Sequence, residues 1–523
     1  MKPARRLPAP PRSVVTGART AGAMALVLLL ASCSFLGQPK DSKPEDATGQ
    51  ADPSITDAAP AELRSYYGQS VSWTSCEEQF QCAKVKVPLD YDKPEGDSIE
   101  IAALRLPAKG NKKGSLLVNP GGPGASGYDF VKNAGPTHIS DRVRSNYDLV
   151  GFDPRGVKRS APVTCLTDQE RDAAAQENYN YDLDADLQAY LESTKASIAK
   201  CVEKTGPVLA HVDTISAVKD MDILRAVVND AKLNYLGYSY GTLLGSTYAS
   251  LFPDNVGRLV LDGALDPSLS SAEITRGQAR AFEKAIRAYV TSCLQQQDCP
   301  VTGTVDSAVQ QIRDLIQSVA ANPRPAKDGR MVTGATFVSG FIVTFYDDGN
   351  WPLLTKALDD ALKGDASTMQ QLADFSADRG PDGTYSSNSG FAFTAINCLD
   401  YPMVTDTEGM RAEEELLKQD SPTLGYFFAY GGTSCKDWPY KNVRTPAPVE
   451  YSGSAPIVVI GTTGDPATPV EWAEALRKQL GNASLVTWKG EGHTAYGRSN
   501  SCVEDAVDLY LIDGKSPVDN TVC

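Results

Sequence analysis

The chain has 523 residues, 41% of them hydrophobic, with 33 prolines, 43 glycines and a formal net charge of −15. That length is more than one compact core needs and fits a core carrying a large insertion. The acidic balance argues against nucleic-acid binding through a basic surface, and three histidines leave few candidates for a general base.

Residues 1–32 place Lys2, Arg5, Arg6, Arg12 and Arg19 ahead of the apolar run from Ala23 to Leu30. This is the pattern of an export signal, and the run is too short for an ordinary spanning helix. Leu30-Ala31-Ser32-Cys33 is similar to a bacterial lipobox, which predicts cleavage before Cys33 and lipidation of that cysteine. The alternative is an ordinary signal with an incidental cysteine. Cleavage there moves the formal charge from −15 to −20. Residues 33–62, rich in Ser, Pro, Asp, Lys and Ala, predict a flexible tether between membrane and enzyme. The expected address is the outer face of a bacterial cell membrane, with extracellular release as the variant.

Val85–Val87 and Ile99–Leu106 predict an initial hairpin, and Leu116–Val118 and Tyr147–Phe152 predict core strands. After Leu116-Leu117-Val118 comes Asn119-Pro120-Gly121-Gly122-Pro123-Gly124, a loop whose backbone can approach a ligand closely. It lacks the lysine of a phosphate loop, and its prolines donate no N–H. A helix is expected from Asp213 to Leu224, then a strand at Leu233–Leu236 leading into Gly237-Tyr238-Ser239-Tyr240-Gly241. This G-x-S-x-G between strand and helix has the context of a nucleophile elbow, where a serine is exposed on a tight turn; an isolated match is otherwise a surface Gly-Ser turn. Ser239 is the candidate nucleophile. The oxyanion donors are then the N–H of Tyr240 and that of Gly122, or else Gly121.

A serine needs a histidine base oriented by a carboxylate. His138 and His211 precede Ser239, whereas His493 follows it, in Gly490-Glu491-Gly492-His493-Thr494 after the strand-like Leu485–Trp488. The buried-strand pattern Ile457–Ile460 leads into Gly461-Thr462-Thr463-Gly464-Asp465-Pro466, which makes Asp465 the acid. Its competing role is to N-cap a helix opening at Pro466.

Strands and helices alternate on both sides of residues 266–445, which predicts a mostly parallel sheet covered by helices. Residues 266–445 carry helical patterns at Ala281–Thr291 and Met410–Lys418 and predict a mainly helical cap. The expected division is therefore 63–265 and 446–523 for the core and 266–445 for the cap. Within the cap, Asp347, Asp348 and Asp400 are candidates to bind a substrate amine, although a turn packed by a buried Trp351 explains the first two better, and Asp400, beside Cys398, shares that ambiguity. Setting Cys33 aside leaves ten cysteines. Neighbour pairing gives Cys76–Cys82, Cys165–Cys201, Cys293–Cys299, Cys398–Cys435 and Cys502–Cys523. The spacings lack the paired C-x-x-C clusters of a structural metal site.

These segments in this order, together with Val85–Tyr91, Asp153-Pro154-Arg155-Gly156, Val260-Leu261-Asp262-Gly263, Ala395–Cys398 and Gly464–Pro469, resemble the secreted tripeptidyl-aminopeptidase branch of the prolyl-iminopeptidase-like serine peptidases, in the α/β-hydrolase superfamily. Asn119-Pro120 stands where the prolyl-iminopeptidase relatives usually carry a histidine, a departure that argues against strict proline specificity. The resemblance implies an α/β-hydrolase core with Ser239, Asp465 and His493 as nucleophile, acid and base, and no metal or organic cofactor. It also implies peptides with free amino termini as substrates and release of short peptides, tripeptides above all. A cell-envelope esterase or lipase with the same triad, and a non-catalytic surface binding protein of the same fold, remain as alternatives.

Overall fold

Eleven strands pair into one mixed sheet in the computed structural model, which describes residues 47–50 and 52–523. β1 (Ala47–Gln50), β2 (Ser70–Cys76), β3 (Phe80–Pro88) and β4 (Ser98–Leu106) form an antiparallel meander. The predicted hairpin is its last pair, with Val85 opposite Ile101. β5 (Gly114–Asn119), β6 (Tyr147–Phe152), β7 (Leu233–Tyr238) and β8 (Val256–Asp262) follow. β9 (Arg324–Pro325) and β10 (Met331–Val332) make a separate short ribbon, and β11 (Ile457–Gly464), β12 (Ala483–Glu491) and β13 (Thr521–Val522) complete the sheet. β4 pairs antiparallel with β6; from β6 onward, in the order β6-β5-β7-β8-β11-β12-β13, every pairing is parallel.

Every residue of β5 and β6 is buried, as their near-continuous apolar sequences require of strands covered on both faces. Alternation along β5 sends Leu116 and Val118 into one hydrophobic cluster with Tyr128, Val260 and Val458. Leu117 enters the other, with Met221, Leu243 and Val459. The second face is covered by the Thr214–Val227 helix, capped by the Asp213 side chain on the Ser216 N–H, and by the Tyr240–Leu251 helix. Arg155 locks this layer to the meander. Its fully buried guanidinium is bidentate to Asp220 at 2.7 Å and donates to the carbonyls of Pro88, Leu89 and His211. Removing one partner of such a pair costs about 3–5 kcal/mol, because the other charge is stranded.

Between β8 and β11 the main sheet gains no strand, and the chain builds a second core around Phe282, Ile286, Ile312, Phe337, Phe341 and Leu358. The helices Ser271–Cys293 and Thr407–Asp420 contain the two predicted there. The 266–445 insertion is not a separate body, however. Ala392, Ala395, Ile396 and Leu399 of the Ser389–Asp400 helix pack into the sheet-face cluster instead. A second insertion, absent from the sequence reading, lies between β6 and β7. Its Asp184–Thr205 helix joins Leu187 and Leu191 to Met410 and Tyr430.

All five predicted cysteine pairs are disulfides. The export signal, Cys33 and the first part of the expected tether fall outside the described residues. The later part of 33–62 is structured rather than a loose tether. β1 pairs with β2, and a short helix at Pro53–Asp57 rests Ile55 on the core. No helix among the described residues is long and apolar enough to cross a membrane.

Candidate active site

β7, β8, β11 and β12 are consecutive in the sheet and parallel, so their carboxyl ends lie side by side. Ser239 follows β7, Gly263 follows β8, Asp465 follows β11 and His493 follows β12. β5, on the other side of β7, delivers Gly121 and Gly122. Residues as much as 372 positions apart in sequence, Gly121 and His493, are brought to one edge by strand register alone.

Ser239 has φ 55° and ψ −124°, a conformation that β-carbon-bearing residues rarely adopt and that stores strain. It is held there by its N–H on the Asp262 carbonyl (2.9 Å) and by the N–H and hydroxyl of Thr242 on its own carbonyl (2.8 and 2.6 Å). The flanking glycines let strand and helix meet: a Cβ on Gly237 would lie 2.4 Å from the Gly241 carbonyl oxygen. Tyr240 opens the following helix, as an elbow requires.

His493 Nδ1 lies 2.9 and 2.8 Å from the two oxygens of Asp465, both residues being buried. Asp465 also accepts from the N–H groups of Ala467, Thr468 and Thr494 and from the Thr468 hydroxyl, which itself lies 3.2 Å from His493 Nδ1. The helix beyond starts at Val470 with Pro469 as its cap, so Asp465 does not serve as its N-cap. With Nδ1 donating to Asp465, the lone pair is on Nε2, which is buried without a hydrogen-bond partner. The histidine is fixed from its other side by Tyr346, whose carbonyl accepts the His493 N–H and whose ring meets the imidazole edge-on at 5.3 Å.

A cavity of about 410 Å³ opens beside Ser239, lined by Gly122, Tyr240 and Thr468 from the core and by Phe282, Tyr346, Phe393 and Phe428 from the insertion. Gly122 faces this space. Gly121 does not offer its N–H, which is bonded to the Asn119 side chain at 2.9 Å. Among the described residues, no Asp, Glu, Lys or Arg side chain lines the cavity.

None of the three amine-binding candidates, Asp347, Asp348 and Asp400, is in that lining. Asp400 is wholly buried and spends its carboxylate on the Thr214 N–H and hydroxyl, with burial pushing its pKa up to about 7. Asp347 and Asp348 are half-exposed and pair with Arg498 at 3.3 and 3.1 Å, outside the cavity lining. Thr468, Tyr346 and Asp262 were given no role from sequence. All three stand in segments that the sequence marks out, Gly464–Pro469, Tyr346–Pro352 and Val260–Gly263, but nothing in those strings says which donors close on the acid and the histidine loop. Among the described residues no group of His, Cys, Asp and Glu is arranged to hold a metal ion.

Residues 421–523 match the family described as TAP-like protein. The chain is 38% identical over 478 residues to the serine protease Hip1 of Mycobacterium tuberculosis, covering 87% of this chain and 91% of that protein. It is 36% identical to carboxylesterase B of the same species, covering 86% and 89%. To a tripeptidyl aminopeptidase of Streptomyces lividans it is 31% identical, covering 87% and 86%. An elbow serine, a buried histidine–carboxylate pair on neighbouring strand ends and relatives matched over nearly their whole length lead to one assignment: the chain belongs to the TAP-like serine peptidases of the α/β-hydrolase superfamily and is a serine hydrolase.

Proposed function

We propose that the protein is an exported, lipid-anchored serine exopeptidase that releases short peptides, tripeptides above all, from free amino termini. Ser239 attacks the scissile carbonyl while His493 Nε2 takes its proton and later returns it to the leaving amine. Asp465 orients the imidazole and stabilises the imidazolium that forms. The N–H groups of Tyr240 and Gly122 receive the oxyanion, and water then hydrolyses the acyl-enzyme.

The observation that carries this reading is the cavity. At about 410 Å³ it is in the size class of small-ligand sites, roughly 300–1,000 Å³, and its far wall is built from the helical insertion. Such a chamber takes a short terminal segment and not the middle of a folded chain. Because no carboxylate lines it, the substrate amine would be held by dipoles such as the Asn397 and Gln278 side chains, both in the lining. Acetylating the terminus removes the charge and adds bulk at the closed end, so kcat/KM falls by about tenfold for each 1.4 kcal/mol of lost transition-state binding. Free and acetylated tripeptide and tetrapeptide anilides test this, with cleavage products of intact peptides identified by mass. Equal cleavage of blocked and free forms, or internal cuts, would remove the aminopeptidase reading while leaving the serine hydrolase in place.

The uncharged, aromatic lining and the likeness to a protein named carboxylesterase B favour one second reading, a cell-envelope esterase. Matched peptide and ester substrates separate the two by their ratio of kcat/KM.

Anchoring rests on Cys33 and the segments before it. Wild-type protein is expected in the detergent-soluble membrane fraction with a lipidated start at Cys33, and Cys33→Ala is expected to lack the lipid. Mass spectrometry of the amino-terminal peptide decides, and an unmodified start downstream of Cys33 would leave a plainly secreted enzyme.

A further inference from the structure

Asp262 ends β8, between the strand that carries Ser239 and the strand that carries Asp465. Its two ends do different work. The main-chain carbonyl accepts the Ser239 N–H at 2.9 Å. The carboxylate accepts the N–H of Ala495 at 3.1 and 3.0 Å and that of Tyr496 at 2.7 Å, two and three residues past His493. The next residue, Gly263, lies directly against the imidazole: a Cβ there would stand 3.1 Å from His493 Cε1. Gly263 is also tied to β11 through its N–H on the Ile460 carbonyl, at 3.1 Å.

Asp262 is fully buried. The titratable groups facing it are Tyr238 at the end of β7, Asp465 after β11, and His493 and Tyr496 on the histidine loop; no lysine or arginine is among them. A buried carboxylate compensated by two backbone N–H groups and the nearby His493, with no lysine or arginine paired to it, is a poor stabiliser, since desolvation is opposed by no direct ion pair. That burial pushes its pKa up to about 6, against the two N–H groups that lower it. Something other than stability accounts for its place under the loop.

We infer that Asp262 is a positioning residue whose ionised carboxylate fixes residues 493–496 against the Ser239 turn, holding His493 Nε2 in register with the serine hydroxyl. The inference rests on Ser239 and His493 being nucleophile and base. Protonation removes the charge that draws both N–H groups and sets a hydroxyl against the Ala495 N–H, which the two oxygens share, so both tethers weaken and the registry loosens. Catalytic competence therefore requires one deprotonation, that of Asp262, beyond what a variant without this carboxyl needs.

The test is Asp262→Asn in the full chain, measured with an activated ester and a peptide anilide. The amide sets an NH₂ against a loop N–H, so kcat is expected to fall roughly a hundredfold, as for a small misplacement of reacting groups. KM stays within about twofold, because Asp262 does not line the cavity. The acid limb of log kcat/KM against pH is expected to approach a slope of about two in the wild type and about one in the variant. A folded Asp262→Asn protein with wild-type kcat overturns the inference. So does a variant that loses only thermal stability. If that variant does not fold, the wild-type slope decides alone, and a slope of one overturns it. A fluorophosphonate that labels Ser239 in the wild type, located by mass, separates failure of this inference from failure of the nucleophile assignment beneath it.

Discussion

Ser239→Ala and His493→Ala are each expected to lower kcat by roughly 10⁴-fold or more, with folding intact, and Asp465→Asn by a large but smaller factor. The asymmetry follows from geometry. Without Ser239 no acyl-enzyme forms, and without His493 no group takes the proton. Asparagine at 465 can still hold the imidazole, but an NH₂ facing Nδ1 favours the wrong tautomer. Its carboxylate also gathers three backbone N–H groups and the Thr468 hydroxyl, so the substitution disturbs the 465–468 turn as well. Steady-state kinetics, accompanied by circular dichroism and thermal melts, give the answer. Near-normal turnover by a folded Ser239→Ala protein would end the nucleophile assignment.

Gly121→Ala is expected to damage catalysis severely by pushing the loop off the elbow. Gly121 has φ 99°, and its new Cβ would sit 2.6 Å from the Tyr238 carbonyl oxygen, 2.8 Å from Ser239 Cβ and 3.1 Å from the Tyr240 nitrogen. Two of those three are backbone atoms of the elbow and cannot rotate away. The loop must retreat, taking the Gly122 N–H away from the position where the oxyanion develops, and loss of one such donor costs on the order of 10²–10³ in kcat. Gly206→Ala is the control. It carries the same left-handed penalty at φ 65° but meets nothing within 4 Å, so it should cost only stability. Equal kcat for both variants would show that Gly121 does not set the oxyanion geometry.

The sequence disclosed residues whose chemistry is tied to strand ends. Ser239, Asp465 and His493 each stand after a β-branched or apolar run. In a parallel sheet the carboxyl ends converge, so order along the chain was enough to bring them together. Asp400 was illegible for the opposite reason. It sits on a helix, and the choice between facing the cavity and facing Thr214 is a rotation that no local pattern records. Asp347 and Asp348 have their partner, Arg498, about 150 positions away. The Ser389–Asp400 helix lies within the 266–445 insertion, but its apolar residues Ala392, Ala395, Ile396 and Leu399 pack into the sheet-face cluster, a neighbour that the sequence around them does not name. Asp262 shows the same limit: Val260-Leu261-Asp262-Gly263 stands out in the sequence, but the two N–H groups its carboxylate receives lie 233 and 234 residues later.

The disulfide pattern has a consequence for how the chain can be made. Each cysteine from 76 onward joins the next one along, with separations of 6, 36, 6, 37 and 21 residues and no bridge crossing another. A polypeptide emerging amino-terminus first therefore meets the correct partner before any wrong one has appeared, provided each thiol is oxidised as its neighbour arrives. Vectorial synthesis selects the native set by timing, with little need for reshuffling. Refolding the reduced chain offers all ten of these thiols at once and discards that advantage. The order in which the chain becomes available thus carries part of the information that the finished fold no longer displays.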